Sequence, residues 1–138
     1  MTRDTDLDWK TIAEHHPYFG VLANEQYLSH NLTPERIEEF YASGRADIDA
    51  VVETLRRLIA GRRRLATPLP KFQPRSAIDF GCGVGRLTLA MARHAKTVVG
   101  VDVSERMLEL AKERANSTGV HNVEFHTDIP STGVEWVN

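Results

Sequence analysis

The residues best suited to chemistry lie in one short segment, Asp79-Phe80-Gly81-Cys82-Gly83-Val84-Gly85-Arg86. Its alternating glycines let the backbone turn sharply, and because they lack Cβ atoms a ligand can lie against the chain. A glycine-rich turn that follows a strand of a parallel α/β sheet lies at the carboxyl ends of the strands, where such sheets bind ligands. The segment therefore predicts a binding site along the backbone of this turn.

The spacing of the glycines distinguishes between two kinds of ligand. Dinucleotide sites have the pattern G-x-G-x-x-G, in which a helix N-terminus meets a pyrophosphate. Here the pattern is G-x-G-x-G, and Arg86 occupies the position of the third dinucleotide glycine. Asp79 lies two positions before Gly81, where a carboxylate would repel a pyrophosphate and attract an ammonium or a sulfonium. The turn therefore favours a cationic amino-acid nucleoside over a dinucleotide.

A second acidic residue, Asp102, ends the next strand-like segment. It lies about 20 residues beyond Gly81, a spacing at which an acid can accept hydrogen bonds from both ribose hydroxyls. Its alternative role is to cap the helix that begins near Ser104. Val103 and Met107 are apolar and close in sequence, so they are suited to packing on an adenine face, with the helix core as the alternative for Met107.

A third acidic residue, Asp128, ends the last strand-like segment. Its carboxylate could accept a hydrogen bond from an adenine amino group, while the backbone N–H of Ile129 donates to the ring. The alternative is a solvated aspartate at a strand end before Pro130.

Other reactive side chains carry no predicted chemistry. Cys82 is interpreted as a small residue tolerated in the turn, because no neighbouring base would activate its thiol. The six histidines lack the spacing of metal ligands, and the adjacent His15 and His16 cannot face one ion from a helix, so we expect no metal.

The elements that must position these residues alternate between strand and helix. Such an order predicts parallel strands with right-handed crossovers, a Rossmann-like α/β sheet. The predicted strands are 77–80, 97–102 and 123–128, and the predicted helices are 84–94 and a second from Ser104 to Gly119.

A helical region precedes this α/β unit. Residues 1–32 predict short helices and loops, whose aromatic residues, above all Trp9, Tyr18, Phe19 and Tyr27, are core or, as the alternative, a lid over the site. From Thr33 an amphipathic stripe predicts a helix that Gly44 breaks in two. The expected division is a helical N-terminal extension at 1–61, a basic, proline-rich linker at 62–75, and a cofactor-binding unit at 76–138.

Segments 79–85, 101–104 and 128–129 together resemble the first three motifs of class I S-adenosylmethionine-dependent methyltransferases, over about residues 76–130. The resemblance implies S-adenosylmethionine as cofactor and transfer of its methyl group to an acceptor nucleophile by in-line displacement. In that family, the residues that match the turn contact the methionine part, and those that match the two strand-end aspartates hold ribose and adenine. The candidate cofactor-binding residues are Asp79, Gly81, Cys82, Gly83, Gly85, Asp102, Val103, Met107, Asp128 and Ile129.

The sequence departs from that family in the size of its sheet. The family has seven strands, and its acceptor-handling residues usually follow the fourth, whereas three strands are predicted here. We therefore expect the N-terminal half of such a sheet, with its first strand as an exposed edge that could pair with a second copy. No catalytic residue is assigned. The alternatives are a non-catalytic S-adenosylmethionine-binding module that acts with a partner and, disfavoured by the turn, an NAD-dependent oxidoreductase.

Composition bounds the partners and the compartment. The 138 residues include 17 Lys+Arg and 19 Asp+Glu, a formal charge of −2 that excludes a globally basic nucleic-acid binder. A small-molecule acceptor is expected, with RNA as an alternative through the basic stretch at 56–75. No apolar run approaches the roughly 18 residues of a membrane helix. With one cysteine and no signal peptide, we expect a cytoplasmic protein without membrane contact.

Overall fold

The computed structural model describes residues 5–62 and 71–129. These residues form five α-helices, two short 3₁₀ turns and a three-stranded sheet. In chain order the elements are α1 (Thr5–His15), α2 (Pro17–Leu22), the 3₁₀ turns Glu25–Tyr27 and Ser29–Asn31, α3 (Pro34–Arg62), β1 (Ser76–Phe80), α4 (Arg86–Met91), β2 (Thr97–Val101), α5 (Glu105–Ser117) and β3 (Val123–His126).

The three strands form a parallel sheet in the order β1-β2-β3. In register, Ser76 pairs with Thr97 and Val98 pairs with Val123, so β2 lies in the centre and β1 at an edge. The predicted α/β fold with a helical N-terminal region is confirmed. Strands β2 and β3 each end before the aspartate that follows them, which leaves Asp102 and Asp128 in loops at the carboxyl edge of the sheet.

Helix α3 runs without a break from Pro34 to Arg62, so the predicted interruption at Gly44 is wrong. Thr33 starts the helix as expected, because its Oγ1 accepts a hydrogen bond from the Arg36 amide at 3.3 Å. Gly44 allows a close contact between α3 and a neighbouring segment and does not interrupt the helix. A Cβ atom at this position would lie 2.5 Å from the Arg86 carbonyl oxygen, so only glycine lets α3 approach that backbone so closely.

Helix α4 is shorter than predicted, since it begins at Arg86 and ends at Met91. Gly85, the residue before it, has a φ of 81°, a left-handed conformation that cannot continue into a helix on its N-terminal side. The residues at 92–94 form turns instead of a further helical turn. The left-handed glycine therefore ends the glycine turn and sets the start of α4.

The hydrophobic core joins the N-terminal helices to the α/β unit. Phe40 of α3 is fully buried, and its ring makes edge-to-face contacts with Tyr18, Tyr27 and Tyr41. The same cluster includes Leu108 and other apolar residues of α5. The core interpretation of the N-terminal aromatic residues therefore holds for Tyr18 and Tyr27.

The described residues do not test the predicted division of the chain. Residues 63–70 of the basic, proline-rich linker lie outside the described residues, so the division at 1–61, 62–75 and 76–138 stays a prediction. None of the helices in the described ranges is long and apolar enough to cross a membrane. Within the same ranges, no three His, Cys, Asp or Glu side chains gather as a metal-ligand group.

The close approach at Gly44 predicts that alanine at this position lowers the free energy of unfolding, whereas helix propensity alone predicts that it raises it. In an isolated helix, Gly→Ala is favourable by about 1 kcal/mol. We expect Gly44→Ala to destabilise the chain by about 1–3 kcal/mol, because its Cβ must displace backbone. Gly61→Ala is the matched control in the same helix, since no atom of the described residues lies within 4 Å of a Cβ there. Urea unfolding measures both, and a stabilising Gly44→Ala would contradict the packing.

Candidate functional site

The glycine turn after β1 is held in a conformation that only glycine adopts readily. Gly81, Gly83 and Gly85 have φ values of 74°, 52° and 81°, all in the left-handed region. The amides of Gly81 and Cys82 both donate to the Val101 carbonyl oxygen, at 2.8 and 2.9 Å. The turn is therefore tied to the end of the neighbouring strand β2.

Asp102 connects this turn to the start of α5. One carboxylate oxygen accepts from the Gly83 amide at 2.8 Å, and the other accepts from the Ser104 amide at 3.0 Å. The helix cap itself is Ser104, whose Oγ accepts from the Met107 amide at 3.3 Å. A carboxylate has about four acceptor positions, so Asp102 keeps capacity for ligand hydroxyls beside these two bonds.

A cavity of about 820 Å³ opens at the carboxyl ends of the three strands. It is of the size that small-molecule sites have in other proteins. Seven of the ten candidate cofactor-binding residues line it, namely Gly81, Gly83, Asp102, Val103, Met107, Asp128 and Ile129. The other lining residues are Asp6, Trp9, Gly20, Val21, Phe80, Val101 and Thr127.

The charges around this cavity have one sign. Three carboxylates line it, those of Asp6, Asp102 and Asp128, and over the described part of the chain no Lys, Arg or His does. Such a wall attracts cations and repels a pyrophosphate. On the same wall a ligand can approach the Gly81 backbone closely, since no described atom lies within 4 Å of the Cβ position of this glycine.

Asp79 lies behind the turn and does not line the cavity. Its Oδ2 accepts a hydrogen bond from the Thr88 hydroxyl at 2.6 Å. Burial raises the pKa of the Asp79 carboxyl, while the Thr88 hydrogen bond and the nearby Arg86 charge act in the opposite direction. The predicted contact between Asp79 and a ligand cation therefore stays a prediction.

Cys82 and Gly85 also lie outside the cavity lining. The Cys82 thiol is buried beneath the turn, with its Sγ 3.0 Å from where a Cβ of Gly100 would be. Burial, helped by the Asp79 and Asp102 carboxylates, raises the pKa of this thiol to about 12, so it stays protonated and is no nucleophile. Gly85 faces Ala111 of α5. A Cβ atom built at Gly85 would lie 3.1 Å from the Ala111 Cβ atom.

The N-terminal extension contributes residues that the sequence analysis missed. Val21 of α2 packs directly on the turn, since a Cβ atom at Gly83 would lie 2.7 Å from the Val21 Cγ2 atom. Tyr18 and Phe19, predicted as an alternative lid, pack against the core instead and do not line the cavity. Trp9, predicted as core or as part of a lid, lines the cavity and is half exposed, so the core interpretation is wrong for this residue.

Arg86 has a structural role that the glycine spacing did not indicate. Its side chain is 9% exposed, and Nη1 donates to Ser43 Oγ at 3.0 Å and to Asp47 Oδ2 at 2.8 Å. The Tyr41 hydroxyl donates to the Val84 carbonyl oxygen at 3.0 Å in the same interface. Helix α3 thereby holds the second half of the turn in place.

Comparison with known families gives a match over residues 77–131, which fit the family described as methyltransferase domain. The match confirms the resemblance to class I S-adenosylmethionine-dependent methyltransferases that the three motifs carry. It spans the glycine turn and both strand-end aspartates.

Curated relatives and solved structures agree with this. The chain is 44% identical over 68 residues to 23S rRNA (uracil(1939)-C(5))-methyltransferase RlmD of Hahella chejuensis, which covers 47% of this chain and 15% of the relative. It is 46% identical over 48 residues to the enzyme of the same name from a Marinomonas species, covering 35% of this chain and 11% of the relative. The chain thus spans a small part of the length of these relatives.

Phosphoethanolamine N-methyltransferase 1 of Haemonchus contortus, solved with phosphoethanolamine and S-adenosylhomocysteine, has the same fold over 94% of this chain. The TM-score is 0.58 at 21% identity, and the shared part is 22% of that structure. The likeness includes the N-terminal helices as well as the sheet, because it covers nearly the whole of this chain.

The raised pKa of Asp79 predicts a pH dependence of stability. The folded chain keeps the Asp79 proton to a higher pH than the unfolded chain, so stability falls as the pH rises from about 4, the usual aspartate range, through the raised pKa. Asp79→Asn removes this loss and flattens the curve, while its side-chain oxygen still accepts from Thr88. Thr88→Val removes the donor and extends the loss to higher pH. Urea unfolding across this pH range measures all three, and equal slopes would contradict the assignment.

Proposed function

We propose that this chain, whose residues 77–131 match the methyltransferase domain family, binds S-adenosylmethionine in the cavity at the carboxyl ends of its strands and takes part in methyl transfer. The observation that carries the proposal is the cavity lining. Three carboxylates and a left-handed glycine turn surround a space of about 820 Å³. A ligand with an ammonium, a sulfonium, a ribose and an adenine matches this combination of charge and close backbone approach.

The residues that would hold the ligand follow from their positions in the cavity. Gly81 and Gly83 both line the cavity and are suited to the methionine part, and at Gly81 no described atom lies within 4 Å of the Cβ position, so a ligand can approach that backbone closely. Asp102 is suited to the ribose hydroxyls. The apolar side chains of Val103 and Met107 would pack on the adenine. Asp128 and the backbone of Ile129 would supply hydrogen bonds to the edge of the adenine ring.

Bound S-adenosylmethionine supplies an electrophilic methyl group on a sulfonium, which passes to an acceptor nucleophile. The contribution of this chain is to hold the donor in one orientation. Positioning of this kind supplies roughly 7–11 kcal/mol of a reaction barrier when donor and acceptor are both held. No catalytic base is assigned among the described residues.

A dinucleotide fits the same cavity poorly. Its pyrophosphate would approach the carboxylates of Asp6, Asp102 and Asp128 without a lining Lys or Arg in the described ranges to offset them. Nothing in the comparisons favours the oxidoreductase alternative. The binding-module alternative shares the ligand and differs only in the absence of turnover.

For the acceptor, we propose a small molecule. Helices α1 and α2 border the cavity and bring Trp9 and Val21 to it, which narrows the approach for a macromolecule. In the basic stretch, Arg56 and Arg57 pair with Glu53 of the same helix, at 3.4 and 2.9 Å, so these two arginines have an acidic neighbour within the chain. The rRNA acceptor in the relatives' names is a property of those longer proteins.

Calorimetric titration of the full chain with S-adenosylmethionine, S-adenosylhomocysteine and NAD tests the ligand. We expect both sulfur ligands to bind and NAD to bind at least about tenfold more weakly, a free-energy difference of about 1.4 kcal/mol. Tight NAD binding without a response to the sulfur ligands would overturn the proposal.

The ribose assignment has its own variant and control. Asp102→Asn should weaken S-adenosylhomocysteine binding by about tenfold or more, because it removes a charged acceptor. Glu109→Gln removes an exposed carboxylate from α5 outside the cavity and should leave affinity unchanged. Urea unfolding of each variant separates lost binding from lost folding, and equal affinities for both variants would contradict the role of Asp102.

We also propose that the edge strand β1 mediates pairing between copies. Within the described residues β1 pairs only with β2, and Phe80 at its end is 75% exposed. Unpaired N–H and C=O groups along such an edge favour addition of another strand. Light scattering should give a mass above the 15.5 kDa of one chain, and a clean monomer at high concentration would exclude this pairing.

A further inference from the structure

We propose that Trp9 is a binding residue for the cofactor, with its indole ring packed on the bound S-adenosyl ligand. The inference rests on the proposed function and adds to it a contact from the N-terminal extension, outside the matched residues 77–131. It makes this extension a part of the binding site rather than a neighbouring domain.

The phase of helix α1 directs Trp9 to the cavity. Asp6 and Trp9 both line it, one helical turn apart, and Ala13 one turn further along is completely buried in the core. Residues three and four apart lie on the same helix face. The face that carries Trp9 is therefore the face that is anchored to the protein, and the ring is held at the cavity.

Helices α1 and α2 are fixed to the elements of the site. A Cβ atom at Gly20 would lie 2.8 Å from Ile12 Cγ2 and 3.4 Å from Met107 Cε, so α1, α2 and α5 meet closely at this glycine. Val21, the next residue, lies against Gly83 of the turn. The wall that holds Trp9 is thus fixed by contacts within the protein, which reduces the entropic cost of binding.

The exposed surface of Trp9 is accessible to a ligand. The side chain is 50% exposed although it lies in a cavity, and large aromatic rings contribute to binding mainly when they become buried. An indole face attracts cations and stacks on flat rings. S-adenosylmethionine carries both a sulfonium and an adenine, so either of these groups can pack on the indole ring of Trp9.

Titration with S-adenosylhomocysteine tests the contact on the full chain. We expect Trp9→Ala to weaken binding by about tenfold or more and Trp9→Phe to recover most of the affinity. Leu7→Ala is the matched control, because Leu7 lies on the same helix, is 61% exposed and does not line the cavity. Urea unfolding of each variant shows whether the fold is retained.

Fluorescence gives a readout that does not depend on affinity. The chain has two tryptophans, and Trp136→Phe leaves Trp9 as the emitter. We expect its emission to change in intensity or wavelength as S-adenosylhomocysteine saturates the site.

The outcomes separate the two proposals. A chain that binds S-adenosylhomocysteine while Trp9→Ala binds equally well and Trp9 emission is unchanged overturns the role of Trp9 and leaves the proposed function intact. A chain that binds neither sulfur ligand overturns the proposed function and the role of Trp9 with it. Lost affinity in Trp9→Ala, recovery in Trp9→Phe and a normal Leu7→Ala variant support the contact.

Discussion

The close packing of α3 against the glycine turn is the constraint on which the rest of this structure depends. At Gly44 the helix backbone comes so near Arg86 that a side chain has no room. This proximity lets Tyr41 reach the Val84 carbonyl and lets Asp47 pair with Arg86. Three glycines of the turn have left-handed backbone conformations, and in the unfolded chain such glycines adopt many others. The side-chain contacts from α3 stabilise the one conformation that the folded turn has.

Hydrogen bonds connect the glycine turn to the end of the neighbouring strand. Two amides of the turn bond to Val101 at the end of β2, and Asp102 accepts from Gly83. The loops that follow β1 and β2 are thus held together by hydrogen bonds within the protein. Because β3 runs parallel to β2, Asp128 lies at the same carboxyl end of the sheet as Asp102. The result is a cavity with its polar groups in place.

Predictions from the sequence succeeded where the signal was local and failed where it was not. The position of Asp102 after β2 follows from the apolar run 98–101 that precedes it, and that of Asp128 follows from the short strand-like segment that ends two residues earlier. The low helix propensity of glycine predicts a helix break at Gly44. Tertiary packing outweighs this propensity cost of about 1 kcal/mol, and the helix continues. Tyr18 packs against the core as predicted, whereas Trp9, for which core and lid were both predicted, lines the cavity, because composition alone does not indicate which aromatic residue of a helix is buried.

The sequence by itself determined the α/β class, the parallel order of elements and the acidic residues at two strand ends, because these depend on neighbouring residues and on period. Only the tertiary structure decided which residues share the cavity. Tyr41 and Val84 are 43 positions apart, and Val21 lies still farther from Gly83 along the chain. Contacts at such separations leave no local pattern, since they arise when apolar faces of distant helices are buried together. The place of Trp9 and Val21 beside the glycine turn is therefore a property of the packed molecule.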